Sequence, residues 1–255
     1  MTTFHVVTTA HAVGWEEYGR RMAQSFCERW PQAIPLTVYN EDFDVDVKGV
    51  RSATLPAWLR EFKQRHKQNR DAHGLSSAAY DFKRDCVRFS HKIAAITDAA
   101  KNTKADILIW IDADTYTHAP VQTLWLGRLF PRPAYIAWLD RPRTYPECGF
   151  MMFRTENPQH MPIMERLESL YQSDEVFRFR ETHDSFVTQQ VIEAAVRRRE
   201  IPPPCSLSGR QSTGHPFING PLSECMDHMK GRRKITLRTP SFERRIRDDN
   251  PYWRR

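Results

Sequence analysis

The sequence predicts an α/β fold, in which a mixed but mainly parallel sheet is flanked by helices within a single domain. Residues 106–111 carry, after their first residue, an unbroken apolar run of strand length. Such a run is typical of a central parallel strand that is buried on both faces. Residues 81–101, just before it, place apolar side chains at helical spacing along one face. Residues 4–9 open the chain with another short apolar stretch, so strands and helices alternate through the first half.

The other predicted elements follow the same patterns. Met22, Phe26 and Trp30 form one apolar stripe and predict a helix over residues 15–29. Further strands are predicted at residues 34–39, 134–139 and 149–153, and further helices at residues 158–171 and 184–199. Residues 56–77 are rich in Lys, Arg, Gln and His, and no element is predicted for them.

The composition excludes several classes of protein. The chain has 255 residues, of which 40% are hydrophobic and 27% charged, as in globular proteins rather than disordered ones. It contains no apolar run of about 18 residues that could span a membrane, and its N-terminus lacks the basic and apolar stretches of a signal peptide. The five cysteines are widely spaced, which argues against a zinc knuckle or a disulfide framework. We therefore expect a cytoplasmic protein.

The net charge of +7 is concentrated at the C-terminus. Residues 228–255 contain ten Lys or Arg and three Asp or Glu, so residues 1–227 are neutral overall. This excess indicates contact with phosphates of a small ligand, with nucleic acid or with acidic lipid. The alternative is a solvated terminus without a partner.

Two carboxylates follow the central apolar strand. Asp112 and Asp114 are two residues apart, so in extended chain both face the same side at the carboxyl edge of the sheet, where α/β folds bind ligands. Their mutual repulsion requires a cation, and Mn²⁺ or Mg²⁺ prefers oxygen ligands. The same spacing recurs in Asp42-Phe-Asp44 and Asp44-Val-Asp46, but without an apolar strand before it. The alternative for Asp112 and Asp114 is a turn that ends the strand.

The strand ending in Asp112-Ala-Asp114 resembles the DxD motif of GT-A glycosyltransferases. The resemblance covers most of residues 1–235 at the level of element order. It includes the Gly-bearing strand within residues 145–153, an Asp at a helix start (Asp184), and a His followed by basic residues at 228–234. It implies a GT-A (Rossmann-like) catalytic domain, divided as follows: residues 1–120 form a nucleotide-binding half, residues 121–235 an acceptor half, and residues 236–255 a basic tail outside it.

In this family the DxD motif binds a metal that holds the diphosphate of a nucleotide sugar, and some members add a C-terminal His as a ligand. The resemblance thus implies Asp112, Asp114 and His228 as ligands of Mn²⁺ or Mg²⁺, with His215 as the alternative histidine. The family's sequence His-x-x-Gly-x-x-Lys-Pro-Trp is absent. A nearby Lys, which we assign to Lys230, would contact the phosphates.

The resemblance also implies contacts to the nucleotide sugar, which we expect to be a UDP-sugar. The loop after the first strand lies near the nucleobase in this fold, and the helix before the DxD strand lies near the nucleotide. The predicted binding residues are Thr8, His11, Arg88, Lys92, Ala113, Lys230 and Arg233. For the basic stripe Arg84, Arg88 and Lys92, a solvated helix face is the alternative.

The acceptor is expected to enter beside Trp138, Cys148 and Gly149. Inverting members of the family use a carboxylate to take the proton from the acceptor hydroxyl, and Asp184 occupies the corresponding helix start. If Asp184 is only a helix cap, the enzyme is a retaining one and needs no such base.

The sequence therefore predicts a metal-dependent glycosyltransferase that moves a sugar from a nucleotide sugar to a hydroxyl group. The favoured acceptor is a hydroxymethylpyrimidine in DNA, because the basic tail and the Lys/Arg-rich residues 60–70 suit a polyanion. The alternatives are a glycan or lipid-linked acceptor, a nucleotidyltransferase, and a non-catalytic nucleic-acid-binding module. Dinucleotide-binding, Walker A and serine-hydrolase motifs do not occur.

Overall fold

The computed structural model describes residues 2–76, 78–141, 143–209, 214–246 and 250–254. Its strands are β1 (Phe4–Thr9), β2 (Leu36–Asn40), β3 (Arg51–Thr54), β4 (Ile107–Ile111), β5 (Thr115–Thr117), β6 (Ile136–Leu139), β7 (Glu147–Arg154), β8 (Cys205–Ser206) and β9 (Met226–His228). Its α-helices are α1 (Ala12–Gly14), α2 (Arg20–Arg29), α3 (Ala57–Arg65), α4 (Cys86–Asn102), α5 (Thr123–Leu129), α6 (His160–Gln172), α7 (Asp184–Arg197) and α8 (Arg233–Thr236).

The main sheet has seven strands in the order β3-β2-β1-β4-β7-β6-β8. The pairs β3–β2, β2–β1, β1–β4 and β6–β8 are parallel, while β7 runs antiparallel to both of its neighbours. This is the mixed, mainly parallel sheet that the sequence predicts. A separate two-stranded antiparallel sheet, β5–β9, lies beyond the end of β4.

The central strand β4 is buried on both faces, as its apolar run predicts. Leu108 and Trp110 pack into one core cluster with α3, α4, α6 and α7, whereas Ile107, Ile109 and Ile111 pack into a second cluster that includes α2 and α5. Helices on both faces exclude water from the sheet, and they leave its carboxyl edge as the open side for a ligand.

Several predicted elements are confirmed with shifted ends. The helix predicted over residues 15–29 runs from α1 through a π-helical turn, Trp15–Gly19, into α2. The helix predicted over residues 81–101 begins at Cys86, because Asp85 caps it by accepting a hydrogen bond from the backbone N–H of Arg88.

Sequence analysis does not predict the short or largely polar elements. β3 lies at the edge of the sheet with largely exposed residues, and β5 and β9 have only three residues each. Residues 56–77, for which no element is predicted, contain α3, which buries Trp58, Leu59 and Phe62 beneath a polar outer face.

The C-terminal segment packs on the domain where the structure describes it. Trp253 is buried and donates from Nε1 to the carbonyl of Ser223 at 3.0 Å. Tyr252 donates to Asp227 Oδ2 at 2.7 Å, and its ring stacks on His118. Residues 247–249 and 255 of the predicted tail lie outside the described residues, and the boundary at residue 235 stays a prediction. Among the described residues, no helix combines the length and apolar character needed to cross a membrane.

Candidate active site

A cavity of about 310 Å³ opens at the carboxyl edge of the sheet, just beyond β4. Asp112 and Asp114 line it, and the start of α7 and the segment after β9 complete its walls. The backbone N–H of Asp112 donates to the carbonyl of Gly149 at 2.9 Å, which anchors the turn after β4 to β7. The strand end that the sequence singles out therefore lies in a cavity.

Asp112, Asp114 and His228 converge on one point of this cavity. In the β5–β9 sheet, Thr115 pairs with His228, which brings the imidazole next to Asp114. His228 Nε2 lies 3.0 Å from Asp114 Oδ1 and 3.6 Å from Asp112 Oδ2. Two ligand atoms at right angles around a cation, each at about 2.1 Å, are about 3.0 Å apart. The three side chains thus fit a divalent cation bound by oxygen and imidazole nitrogen.

Two lysines compensate the carboxylates. Lys234 Nζ lies 3.0 Å from Asp114 Oδ2. Burial alone would raise the pKa of Asp114, but the charges and hydrogen bonds of His228 and Lys234 outweigh it and hold this pKa well below its usual range. On the other side, Lys92 Nζ lies 2.7 Å from Asp112 Oδ1. Asp114 is therefore ionised at neutral pH, and each of the two aspartates has an ammonium partner that a bound cation would replace.

Lys92 joins the DxD pair to α7. Its Nζ lies 2.6 Å from Asp184 Oδ2 and donates to the carbonyl of Cys148 at 3.1 Å. Burial opposes the charged form of Lys92, but the charges of Asp112 and Asp184 prevail and raise its pKa. Asp184 itself is 4% exposed, and His183 caps α7 beside it. The predicted general base is therefore present in the cavity, held by a buried ammonium group.

Glu147, at the start of β7, forms a second cluster on the far side of His228. It pairs with Lys230, and the Nε2 of His215 lies 3.6 Å from its Oε2. Burial alone would raise the pKa of Glu147, but Lys230, His228 and His215 lower it to about 2. His215 thus lies with Glu147 and His228, while only His228 lies with the DxD pair.

Sequence analysis missed Lys234 and Glu147. The signal for Lys234 is present, because His228, Gly231 and Lys234 have the spacing of His-x-x-Gly-x-x-Lys; only the final Pro-Trp is replaced, by Ile235 and Thr236. The chain therefore departs from this family sequence only at its last two positions. No signal in the sequence marks Glu147.

The other residues predicted to bind the nucleotide sugar are scattered. Arg88 lines the cavity, and Ala113 lies between the two aspartates. Thr8 is buried at the end of β1, His11 caps α1, and Arg233 pairs with Glu243. Of the predicted basic stripe, Arg84 lies before α4 and pairs with Asp71 instead of facing the cavity.

The predicted acceptor residues do not meet at the cavity surface. Cys148 is fully buried, and Gly149 packs against His228. Trp138 is 4% exposed and donates from Nε1 to Asp140 at 2.7 Å, in the wall of a different cavity of about 620 Å³. Their assignment to the acceptor stays a prediction.

Comparison with known proteins identifies the fold. No protein-family model and no curated protein matches the sequence. A glycosyltransferase involved in the glycosylation of the major capsid of PBCV-1 superposes with a TM-score of 0.50 and 10% identity, over 92% of this chain and 98% of its own.

Two further solved structures are similar at lower scores. The glycosyltransferase GlyE of Streptococcus pneumoniae has a TM-score of 0.45 and 13% identity over 75% of this chain, which spans 43% of the length of GlyE. Mouse xyloside xylosyltransferase 1 has a TM-score of 0.47 and 11% identity, over 81% of this chain and 86% of its own. The sheet order and the superposition on the capsid-modifying enzyme together show that this chain has the GT-A glycosyltransferase fold, as predicted.

Proposed function

We propose that the protein is a metal-dependent glycosyltransferase that uses a nucleotide sugar, a UDP-sugar in the first instance. The convergence of Asp112, Asp114 and His228 at the carboxyl edge of a GT-A sheet carries this proposal. The three residues would hold Mn²⁺ or Mg²⁺, and such a cation stabilises a leaving diphosphate as a Lewis acid. The five cysteines are unpaired, which supports a reducing compartment such as the cytoplasm.

Basic side chains of the cavity would bind the diphosphate. Lys234 and Lys230 lie on the segment after β9, and Arg88 lies opposite them on α4. Each now has a partner, since Lys234 pairs with Asp114, Lys230 pairs with Glu147, and Arg88 donates to the hydroxyl of Tyr80. A bound diphosphate would replace these partners through changes in side-chain conformation.

Transfer joins the acceptor oxygen to the anomeric carbon of the sugar. The bond from that carbon to the diphosphate oxygen breaks, and the nucleoside diphosphate leaves with the electron pair. In the inverting version, the hydroxyl proton goes to Asp184; in the retaining version, it goes to the departing diphosphate. The position of Asp184 in the cavity supports the first version, in which Lys92, at 2.6 Å, holds the carboxylate in place.

For the acceptor we propose a hydroxymethylpyrimidine in DNA, in keeping with the basic net charge. A saccharide acceptor remains the second candidate. The cavity of about 620 Å³ supports it, since Asp140 and Glu193 there balance Arg141 and Arg197, and a lining without net charge suits a polyol.

A panel of nucleotide sugars incubated with Mn²⁺ tests the enzymatic proposal. Release of nucleoside diphosphate by the wild-type protein is expected for one donor. Asp112→Asn and Asp114→Asn each remove a metal ligand and should lower the rate by at least about 100-fold. Asp44→Asn is the matched control, because Asp44 is exposed and belongs to the other Asp-x-Asp sequences. Near-normal rates in Asp112→Asn and Asp114→Asn would contradict the proposed metal site. Release of pyrophosphate would indicate a nucleotidyltransferase.

A further inference from the structure

A second cavity, of about 720 Å³, adjoins the candidate active site. The two share the side chain of Tyr145. They are also lined by neighbouring residues of the same segments: Phe82 faces the active site and Lys83 the second cavity, and Ser185 faces the active site and Phe186 the second cavity. A molecule lying in the second cavity would therefore reach the DxD pair past Tyr145.

The second cavity carries an excess of positive charge. Lys83, Arg143 and Arg180 line it, against a single carboxylate, Glu181. Glu181 lies 3.8 Å from Lys83 and 3.2 Å from Arg180, so one acid is shared by two cations. The side chain of Arg180 is 78% exposed and that of Lys83 is 44% exposed, so both can turn toward a ligand in solvent. This charge balance suits a polyanion.

Aromatic rings lie beside guanidinium groups in the walls of both cavities. The guanidinium of Arg141 lies 4.8 Å from the ring centre of Tyr145, and that of Arg180 lies 5.3 Å from the ring centre of Phe186. Phe82, in the active-site wall, is 43% exposed. Cations that follow a phosphate backbone, beside aromatic and guanidinium planes on which bases stack, are the features by which proteins bind single nucleic-acid strands.

Two other surfaces fit a nucleic acid less well. The cavity of about 620 Å³ has balanced charges, as described above. In the C-terminal basic segment, Lys230, Arg233 and Lys234 already pair with Glu147, Glu243 and Asp114. The net charge of that segment therefore overstates the positive surface that it offers to a second molecule.

We propose that Lys83, Arg143 and Arg180, together with Tyr145 and Phe186, form the docking surface for a nucleic-acid acceptor. We call these five residues the basic rim. Phosphates lie on the three cations, and an unstacked base passes Tyr145 to present its hydroxyl group at the DxD pair. The inference rests on the proposed glycosyltransferase function and moves the nucleic-acid contact from the C-terminal tail to the basic rim. A duplex would have to release the target base from its stack, at a cost of a few kcal/mol.

Fluorescence anisotropy with a hydroxymethylated oligonucleotide, single-stranded and duplex, tests this placement without any donor sugar. Wild-type affinity should fall steeply between about 50 and 200 mM salt. Arg143→Ala and Arg180→Ala should each weaken binding about 3- to 10-fold and reduce the salt slope by about one contact. Single-stranded DNA should bind more tightly than duplex.

Two matched controls separate the basic rim from general charge. Arg132 is 70% exposed, pairs with Glu156 and lines neither cavity, and Arg232 is exposed in the C-terminal basic segment. Arg132→Ala and Arg232→Ala should leave both affinity and salt slope unchanged. Thermal unfolding of each variant confirms that the fold is intact.

The outcomes distinguish the inference from the function on which it rests. If the wild-type protein releases nucleoside diphosphate from a donor but does not bind DNA at about 50 mM salt, the basic rim is refuted and the glycosyltransferase stands. Equal losses in rim and control variants, or a loss confined to Arg232→Ala, also refute it. Transfer to a saccharide with unchanged rates in the rim variants would assign the acceptor to the second candidate. If no donor is turned over but DNA binding depends on the basic rim, the glycosyltransferase proposal is refuted instead.

Discussion

Gly149 lies directly against His228: a Cβ carbon at residue 149 would be 2.6 Å from Cε1 of the imidazole and 2.9 Å from its Nδ1. The same glycine accepts the backbone hydrogen bond of Asp112. Residue 149 therefore supports two of the three candidate ligands, one through its carbonyl and one through the space above its Cα. Sequence analysis assigns Gly149 to the acceptor, which stays a prediction; its contacts in the structure are with Asp112 and His228.

Gly149→Ala should displace His228 and weaken metal binding. A contact below 3.0 Å cannot be tolerated, so the buried imidazole has to shift from its present position. We expect at least a 10-fold loss of Mn²⁺ affinity, roughly 1.4 kcal/mol, measured by calorimetry. Gly127→Ala is the control, because nothing lies within 4 Å of a Cβ there. Unchanged metal affinity in Gly149→Ala would show that His228 is not a ligand.

Loss of Lys234 should weaken binding of the nucleotide sugar more than loss of Lys230. Lys234 touches Asp114, while Lys230 touches Glu147 on the other side of His228. We expect Lys234→Ala to weaken nucleotide-sugar binding about 10-fold or more in the presence of Mn²⁺, and Lys230→Ala to weaken it less. Titration of each variant with the best donor makes the comparison. A larger loss in Lys230→Ala would restore the assignment made from the sequence.

The DxD pair could be predicted because its signal is local. Five consecutive apolar residues in β4 determine that the strand is central, and the carboxylates follow at once. His228 could be proposed only by analogy, since its place depends on pairing between β5 and β9. Strands of three residues carry no periodic pattern, so neither the pairing nor its register is visible in the sequence.

The contacts of Lys92 were beyond sequence analysis for a different reason. Helical spacing places Arg84, Arg88 and Lys92 on one stripe, which suggests one shared partner. In the structure their partners differ: Arg84 precedes α4 and pairs with Asp71, Arg88 contacts Tyr80, and Lys92 turns inward to Asp112 and Asp184. Asp184 is far along the chain, so only the packing of α7 against α4 decides the pairing.

His160 should make the protein less stable in mild acid. Its side chain is buried, its Nδ1 lies 3.1 Å from the hydroxyl of Tyr135, and burial lowers its pKa from 6.5 to about 4. Between pH 6.5 and about 4, His160 is therefore protonated in the unfolded chain but neutral in the folded protein. Stability from this group is complete above pH 6.5 and is lost as the pH falls from 6.5 toward 4.

Denaturant unfolding at about pH 7 and pH 5 measures this effect. Between the two, His160→Gln should lose about 2 kcal/mol less stability than the wild type. An equal pH effect in His160→Gln and the wild type would contradict a buried neutral imidazole.

Lys92 should matter more for stability than Asp184, although the two form one ion pair. Lys92→Met leaves two carboxylates, Asp112 and Asp184, without their ammonium partner, and Asp184 is deeply buried. Breaking a buried pair in this way costs about 3–5 kcal/mol. Asp184→Asn costs less, because Lys92 keeps Asp112 at 2.7 Å and the carbonyl of Cys148 at 3.1 Å.

The double variant Lys92→Met/Asp184→Asn decides whether this asymmetry comes from the unpaired charge. It removes the buried carboxylate as well, and the remaining Asp112 is 24% exposed and still accepts a hydrogen bond from Trp110 Nε1. We therefore expect the double variant to be more stable than Lys92→Met alone, with a coupling of about 1–3 kcal/mol in denaturant unfolding. Additive losses would show that Lys92 stabilises the fold through packing of its carbon chain.

The same Asp184→Asn variant tests the role of Asp184 as the base. If Asp184 is the base, the rate of sugar transfer should fall about 10²–10⁴-fold while donor affinity is unchanged. An undiminished rate would make the reaction a retaining one, in which Asp184 serves only to hold Lys92.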